Sequence, residues 1–256
     1  MKNRSFKYIS ILIQLFLSIY LCAYIIYKLT LNYDASLSIV ENIYIYFPIF
    51  IQEIAYLLLA IQLYQLPDIN KQIDNKLLHF NLILLSLDGI VIFPLSQELL
   101  WNFILPPVAA GKIHLFVMLA SALLFFVGGL HSNEGGTSKY KASPIFALIF
   151  TMLVVNFQQI SSPTTNLPFA SIIPSNSFIE FVIIVAILAI ISYFPSYWND
   201  RSVHNLVRII SFSVLILATT VLRLYFILPF IVSMISIILL VLSMILYVVN
   251  LKSYTI

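Results

Sequence analysis

Three ionisable side chains interrupt stretches that are otherwise apolar: Glu53, Asp88 and Arg223. A charged group in hydrocarbon is expensive, so residues of this kind face protein or trapped water and pair with one another. At 1.5 Å per helical residue, Glu53 lies about nine residues into its stretch and Asp88 about eleven into the next, which puts both near a bilayer midplane. Arg223 lies roughly five residues from the end of a later stretch. Neighbouring helices can bring Glu53 and Asp88 together, with Arg223 reaching in to neutralise one of them. Such a cluster serves as a proton or ion relay, or as the polar lining of a translocation path. The alternative is a structural charge cluster that fixes helix packing. Asn156, with Gln14, Gln52, Gln62, Gln158 and Gln159, extends this polar set, and hydrogen bonding between helices accounts for these amides as well.

Four histidines offer a second chemistry, since a membrane haem needs axial ligands at matched depth on facing helices. His79 begins one apolar stretch and His131 ends the next, so antiparallel neighbours can set them opposite each other and a haem b is geometrically allowed. A solvated, unliganded histidine is the ordinary state at such an edge. His114 falls at the opposite end of its stretch and His204 in a connecting loop. His131 stands in no HxxxH or HExxH spacing, no P-loop follows a strand, and no Ser, His and Asp combine as a nucleophilic site. The sequence therefore points to no catalytic residue and no metal, and no cofactor is required. The single cysteine, Cys22, excludes an internal disulfide or a CxxC pair.

The elements that must carry these residues follow from composition. Of 256 residues, 61% are hydrophobic and 9% charged, with a mean hydropathy of +1.03. A soluble domain is about half apolar and about a quarter charged, so the solvent for most of this chain is lipid. Runs long enough for a bilayer are Phe6–Leu29, Tyr44–Leu66, Leu77–Gln97, Ile113–Leu130, Ser143–Ile160, Phe178–Trp198, Leu206–Leu228 and Phe230–Asn250. The expected fold is an all-α, polytopic transmembrane helical bundle, 1–256, of about eight spans, without a soluble domain. The first run follows Lys2, Arg4 and Lys7, exceeds the length of a signal peptide core and lacks a small-residue cleavage site, so it reads as a retained helix. The last two runs form one stretch of about 45 residues, roughly 65 Å as a single helix, twice what a membrane accepts. A hairpin with its turn at Pro229 resolves this. Seven spans result if the stretch crosses an odd number of times. The uncharged segment Ser161–Ser177 reads as a surface loop or as a segment dipping into the bilayer.

Positive residues set the orientation, because cytoplasmic loops carry an excess of them. With the N-terminus inside, Lys2, Arg4, Lys7, Lys71, Lys76, Lys139, Lys141, Arg201, Arg208 and Lys252 are cytoplasmic, ten of the thirteen basic residues. Lys28 and Lys112 lie near outer helix ends, where long side chains snorkel. Both termini are then expected in the cytoplasm of a multi-pass cell-membrane protein.

Ile- and Tyr-rich spans such as FKYISILIQLFLSIYLCAYIIYKL and NIYIYFPIFIQEIAYLLLAIQLYQL, poor in Gly and Ala, look like membrane proteins of thermoacidophilic archaea. In size and layout the chain resembles the multi-span membrane component of the crenarchaeal DNA-import (Ced) system. The resemblance implies a transport role in a membrane passage for DNA, beside other membrane subunits and a separate HerA-type ATPase. It assigns no residue. The rival expectations are a membrane subunit of a respiratory complex, holding haem or quinone, and a structural anchor.

Overall fold

The computed structural model describes residues 8–9, 11–20, 23, 26, 39–65, 73–92, 107–132, 142–159, 175–222 and 230–253. Among them every regular element is helical. These are α1 (Ile11–Tyr20), then α2 (Ile39–Gln65), α3 (Ile73–Ile92), α4 (Pro107–Leu130), α5 (Ala142–Phe157), α6 (Asn176–Ser192), α7 (Phe194–Asn199), α8 (Val203–Ile216), a π-helical turn (Leu217–Val221) and α9 (Phe230–Ser253). The stretches Gly111–Leu130, Asn176–Asn199 and Val203–Val221 are long and apolar enough to cross a membrane. That is three among the described residues, where the sequence leads to an expectation of eight. Shorter apolar helical stretches, of 10 to 17 residues, are Ile11–Tyr20, Phe50–Leu63, Leu77–Asp88, Ala142–Phe157 and Met234–Asn250.

Helix α4 is the hub, packed against α3, α5, α6 and the π turn. Its composition explains this position. Without a hydrophobic drive between helices in lipid, close packing depends on small residues that let backbones approach. Of the six glycines in the chain, α4 carries Gly111, Gly128 and Gly129, together with Ala120, Ser121 and Ala122. At Gly129 a β-carbon would lie 1.8 Å from Ser192 Oγ on α6. Ser132, just beyond α4, shares a 2.6 Å hydrogen bond with Ser196 on α7. Contacts of 129 with 192 and of 132 with 196 advance together along both chains, so α4 and α6 run parallel.

Hydrogen bonds fix the other directions. His204 Nδ1 meets Asn250 Oδ1 at 3.0 Å while Asn250 Nδ2 donates to the His204 carbonyl, also at 3.0 Å. Nearer the other end, Ser236 Oγ donates to the Ala218 carbonyl at 2.9 Å. The midpoint of 204 and 250, and that of 218 and 236, is 227 in each case, so α8 and α9 form an antiparallel pair in constant register. The expected reversal within Leu206–Asn250 is thus present, although Pro229 lies outside the described residues. Lys112 Nζ donates to the Asn156 carbonyl at 3.1 Å, which places the start of α4 against the end of α5. Ser175 Oγ donates to Gln158 Oε1 at 2.9 Å and closes the two ends of the Ser161–Ser177 connection. The question of loop or dipping segment there falls outside the described residues. We call the end holding Ile92 and Pro107 the upper end and that holding Leu130 and His204 the lower.

Local chemistry sets the boundaries. Ser175 and Ser202 cap α6 and α8 by accepting from the amides of Phe178 and Asn205, both at 3.3 Å. The sixth expected span is not one helix, because Pro195 lacks the amide donor that an α-helix requires, and the chain turns at Tyr193 before restarting as α7. Helix α4 begins six residues earlier than Ile113, at Pro107, where proline's fixed φ suits a first helical position and the Lys112 stem reaches the rim.

Among the described residues an aromatic cluster around Phe212 ties several elements together. Phe212 on α8 stacks on Tyr193, with centroids 4.6 Å apart and planes 10° apart. It also meets Tyr247 of α9 at 5.1 Å and Phe125 of α4 at 6.2 Å, both edge-on. Phe212→Ala is expected to cost about 3–5 kcal/mol in thermal unfolding measured in lipid nanodiscs. By contrast Phe157→Ala, at a side chain 83% exposed, changes stability by no more than about 0.5 kcal/mol. Gly129→Ala overpacks the α4–α6 contact and costs about 1–3 kcal/mol in the same measurement.

Candidate functional site

Helices α3 and α4 build a polar seam inside the apolar bundle. Asp88 Oδ1 lies 2.8 Å from His114 Nδ1, and the residues are 0% and 1% exposed. With the carboxyl ionised, Nδ1 carries the proton and donates it. Further down, Asn81 Nδ2 donates to the Ser121 carbonyl at 3.4 Å. The midpoint of 88 and 114, and that of 81 and 121, is 101 in each case, so the helices are antiparallel in constant register. Seven residues are two helical turns, which separates the two rungs by roughly 10 Å and keeps them on one face of each helix.

The seam lies deep in packed apolar side chains. Leu78, Leu82 and Leu85 of α3 and Val117, Met118, Ala120 and Leu124 of α4 are all buried in the main core. A polar contact between ionisable groups in such surroundings has given up bulk hydration, so breaking it by removing one member is costly. Lys112, two residues before His114, stands half-buried at the upper rim with its ammonium on a last-turn carbonyl of α5. A cation there complements the negative end of that helix.

The structure therefore rearranges the expected cluster. Asp88 is buried at interior depth, but His114, which sequence placed at an unremarkable helix end, is its partner. Glu53 is buried near the centre of α2, beside Gln52, whose amide donates to Tyr56. Asn156 is not part of the polar interior. Its side chain is exposed on α5, and its backbone carbonyl makes the contact with Lys112. The reason is azimuthal: the buried stripe of α5 is Ala147, Thr151 and Val155, spaced by four, and Asn156 falls one residue off it. Arg223 lies outside the described residues. Gln14 and Gln52 are buried, whereas Gln62 and Gln158 are partly exposed and Gln159 is exposed.

His79 is buried on α3, yet nine residues from Asp88 amount to half a turn, so it occupies the face opposite the seam. His131 meets Ser143 Oγ at 3.2 Å at the lower end. Among the described residues no three His, Cys, Asp or Glu side chains gather as metal ligands. His204 is absorbed by Asn250 in the α8–α9 clamp. Arg208, expected near the cytoplasmic end, is on α8 and buried.

One signal for His114 was present in the sequence. Asn81 and Asp88 are seven apart in one apolar stretch, and His114 and Ser121 are seven apart in the next, the spacing that places two polar groups of each helix on one face.

Among the described residues this architecture is a helical bundle with helices long and apolar enough to cross a membrane and a buried ionisable pair. Comparison with protein-family models, with curated proteins and with solved structures finds no match to the chain.

Asp88→Leu and His114→Phe are each expected to lower stability by about 3–5 kcal/mol, because each breaks the buried 2.8 Å contact from one side. The double variant recovers most of that loss. A cycle of thermal unfolding measurements in nanodiscs gives the coupling, and simple additivity of the two losses would show that the pair does not act as one.

Proposed function

We propose that this protein is a multi-pass membrane component of a transport or translocation system, with the α3–α4 seam as the polar part of its path. The observation that carries the reading is the Asp88–His114 pair, 2.8 Å apart and fully buried in an apolar bundle, continued by the Asn81–Ser121 rung. Ionisable residues at this depth are rare in membrane helices and mark substrate and ion pathways.

Eight crossings with both termini cytoplasmic fit this reading. An apolar helical stretch accompanies each of the eight expected spans, and the hydrogen-bonded rungs make consecutive helices alternate in direction from α3 to α5 and from α8 to α9. The described basic residues at helix ends also divide unequally. Lys76, Arg201, Arg208 and Lys252 belong to the lower end, against Lys112 at the upper, which supports the reading of the lower end as cytoplasmic. DNA as cargo, other membrane subunits as neighbours and a separate ATPase as the energy source come from the resemblance to the crenarchaeal import component. The sequence has no phosphate-binding loop of its own, in keeping with that division of labour.

Cysteine accessibility tests the path. In a Cys22→Ala background, Asn81→Cys and Ser121→Cys are expected to react with a membrane-impermeant thiol reagent in the working complex, while Ile187→Cys and Phe157→Cys on apolar faces are not. A seam shielded in every state removes the reading. Cells lacking the gene test the cargo: the expected phenotype is lost uptake of marked DNA with normal respiration. Normal uptake with impaired respiration, and a Soret band that disappears on His79→Ala or His131→Ala, would establish the respiratory alternative. For topology, reporter fusions at Lys139 and after Tyr254 are expected to report the cytoplasm and one at Thr165 the outside.

A further inference from the structure

We propose that the Asn81–Ser121 rung is a hydration site, holding one buried water molecule in the middle of the apolar bundle. The inference deepens the translocation reading by giving the α3–α4 seam an occupant. Its test is made on the resting protein, so water can be found at the rung while the seam proves closed to thiol reagents, and the reverse.

The first support is the orientation of the amide. A carbonyl can only accept, so Asn81 must turn its nitrogen toward the Ser121 carbonyl, as the 3.4 Å Nδ2 contact shows. That leaves Asn81 Oδ1 turned away, and it has no hydrogen-bond partner among the described residues. The backbone cannot supply a donor, because amides in the interior of α3 and α4 are consumed within their own helices. The contact itself is longer than an amide donor usually makes, so the two helices are not drawn tight at this level.

The second support is the Ser121 hydroxyl. Elsewhere in the bundle hydroxyls fold back onto their own helix: Thr151, Thr219 and Thr220 donate to the carbonyl four residues earlier, and Ser192 and Ser243 to the one three earlier. Ser121 makes no such bond. Its residue is 0% exposed, and its Oγ has no partner among the described residues. Its neighbours in the chain are Ala120 and Ala122, the side chains that crowd it least.

One water satisfies both groups. It donates a hydrogen to Asn81 Oδ1, accepts from Ser121 Oγ, and keeps its second hydrogen for the free lone pair of a helix carbonyl, which makes the roughly three bonds usual for a buried water. Buried polar groups are rarely left without a partner, and two of them open on contacting helices define a place for one. The site is remote from the surface. Ser121 stands nine residues from the Leu130 end of α4, about 13 Å along the axis, and Leu78, Leu82, Val117, Met118 and Leu124 fill the core at this level.

Solid-state NMR of the full chain in lipid nanodiscs, with magnetisation transferred from water protons to assigned side chains, reads this site. The expected result is a water-derived signal at the Ser121 side chain and at the Asn81 side-chain amide. None is expected at Thr219 or Ser243, which are equally buried but have their hydroxyls bonded to carbonyls. Ser121→Ala is expected to abolish the Asn81 signal, and Asn81→Leu the Ser121 signal, because one water serves both. Unchanged shifts at Thr219 and Ser243 report that each variant is folded. Should Asn81→Leu fail that check, Ser121→Ala, which removes a single oxygen atom, carries the test. Signals at Asn81 and Ser121 no stronger than at Thr219 would overturn the proposal by showing the rung dry. An Asn81 signal that survives Ser121→Ala would overturn the shared water.

Discussion

In hydrocarbon there is no solvent to receive an open amide or carbonyl, so the backbone polar groups of a helix that crosses a membrane must find their partners within the protein. Each irregularity of this bundle comes with its own repair. The π turn at Leu217–Val221 departs from the α-helical ladder, and the Leu222 amide then bonds back to Leu217 at 3.0 Å. Ser236 crosses from α9 to take the Ala218 carbonyl, while Thr219 and Thr220 fold their hydroxyls onto Leu215 and Ile216 of their own helix. At the Tyr193 break, the Tyr193 amide returns to Ile190 at 3.2 Å and Ser192 Oγ to Ala189 at 2.6 Å. Below it Asn205 spends one amide group on Ser196, Asp200 and the Asp200 carboxylate. Serine, threonine and asparagine occur where the backbone leaves its regular path.

The same constraint explains why α4 is central. Contact with several helices at once requires a narrow body, and glycine, alanine and serine supply it. A narrow helix brings the polar atoms of its neighbours within hydrogen-bonding range, as the Asn81 amide reaching the Ser121 backbone illustrates. The peripheral helix α5 shows the opposite balance. Its buried face is three residues wide in total, and large side chains such as Phe146, Met152 and Leu153 stand exposed around the rest. Exposed apolar surface of this kind is what a lipid-facing helix presents.

Depth was legible in the sequence and azimuth was not. Hydropathy reports how far along a helix a residue lies, so the apolar stretches, the burial of Glu53 and Asp88, and the return of the chain within Leu206–Asn250 could be inferred from run lengths and bilayer thickness. Which side of the helix a residue occupies is encoded in periodicity, and in stretches this uniformly apolar the periodic signal is weak. Asn156 shows the consequence: right depth, wrong side. His114 shows a second one. A histidine near the end of a hydropathy window looks solvated until the helix is found to begin at Pro107, which moves His114 two turns inward. The break at Tyr193 was signalled by Pro195, but an uninterrupted apolar run concealed it.

Two hydrogen-bonded rungs in one register act on a helix pair as two pins act on a hinge plate. With 204 held to 250 and 218 to 236, α8 cannot slide along α9 without breaking both, and the rungs stand roughly 21 Å apart along the axis. The pair is left with rigid rotation as one body, and the long separation of its pins makes it stiff against splaying at either end. The pins of α3 and α4 are about half as far apart and both lie within the buried part of the seam. The α8–α9 contact is thus held at two widely separated points, and the α3–α4 contact over a base about half as long.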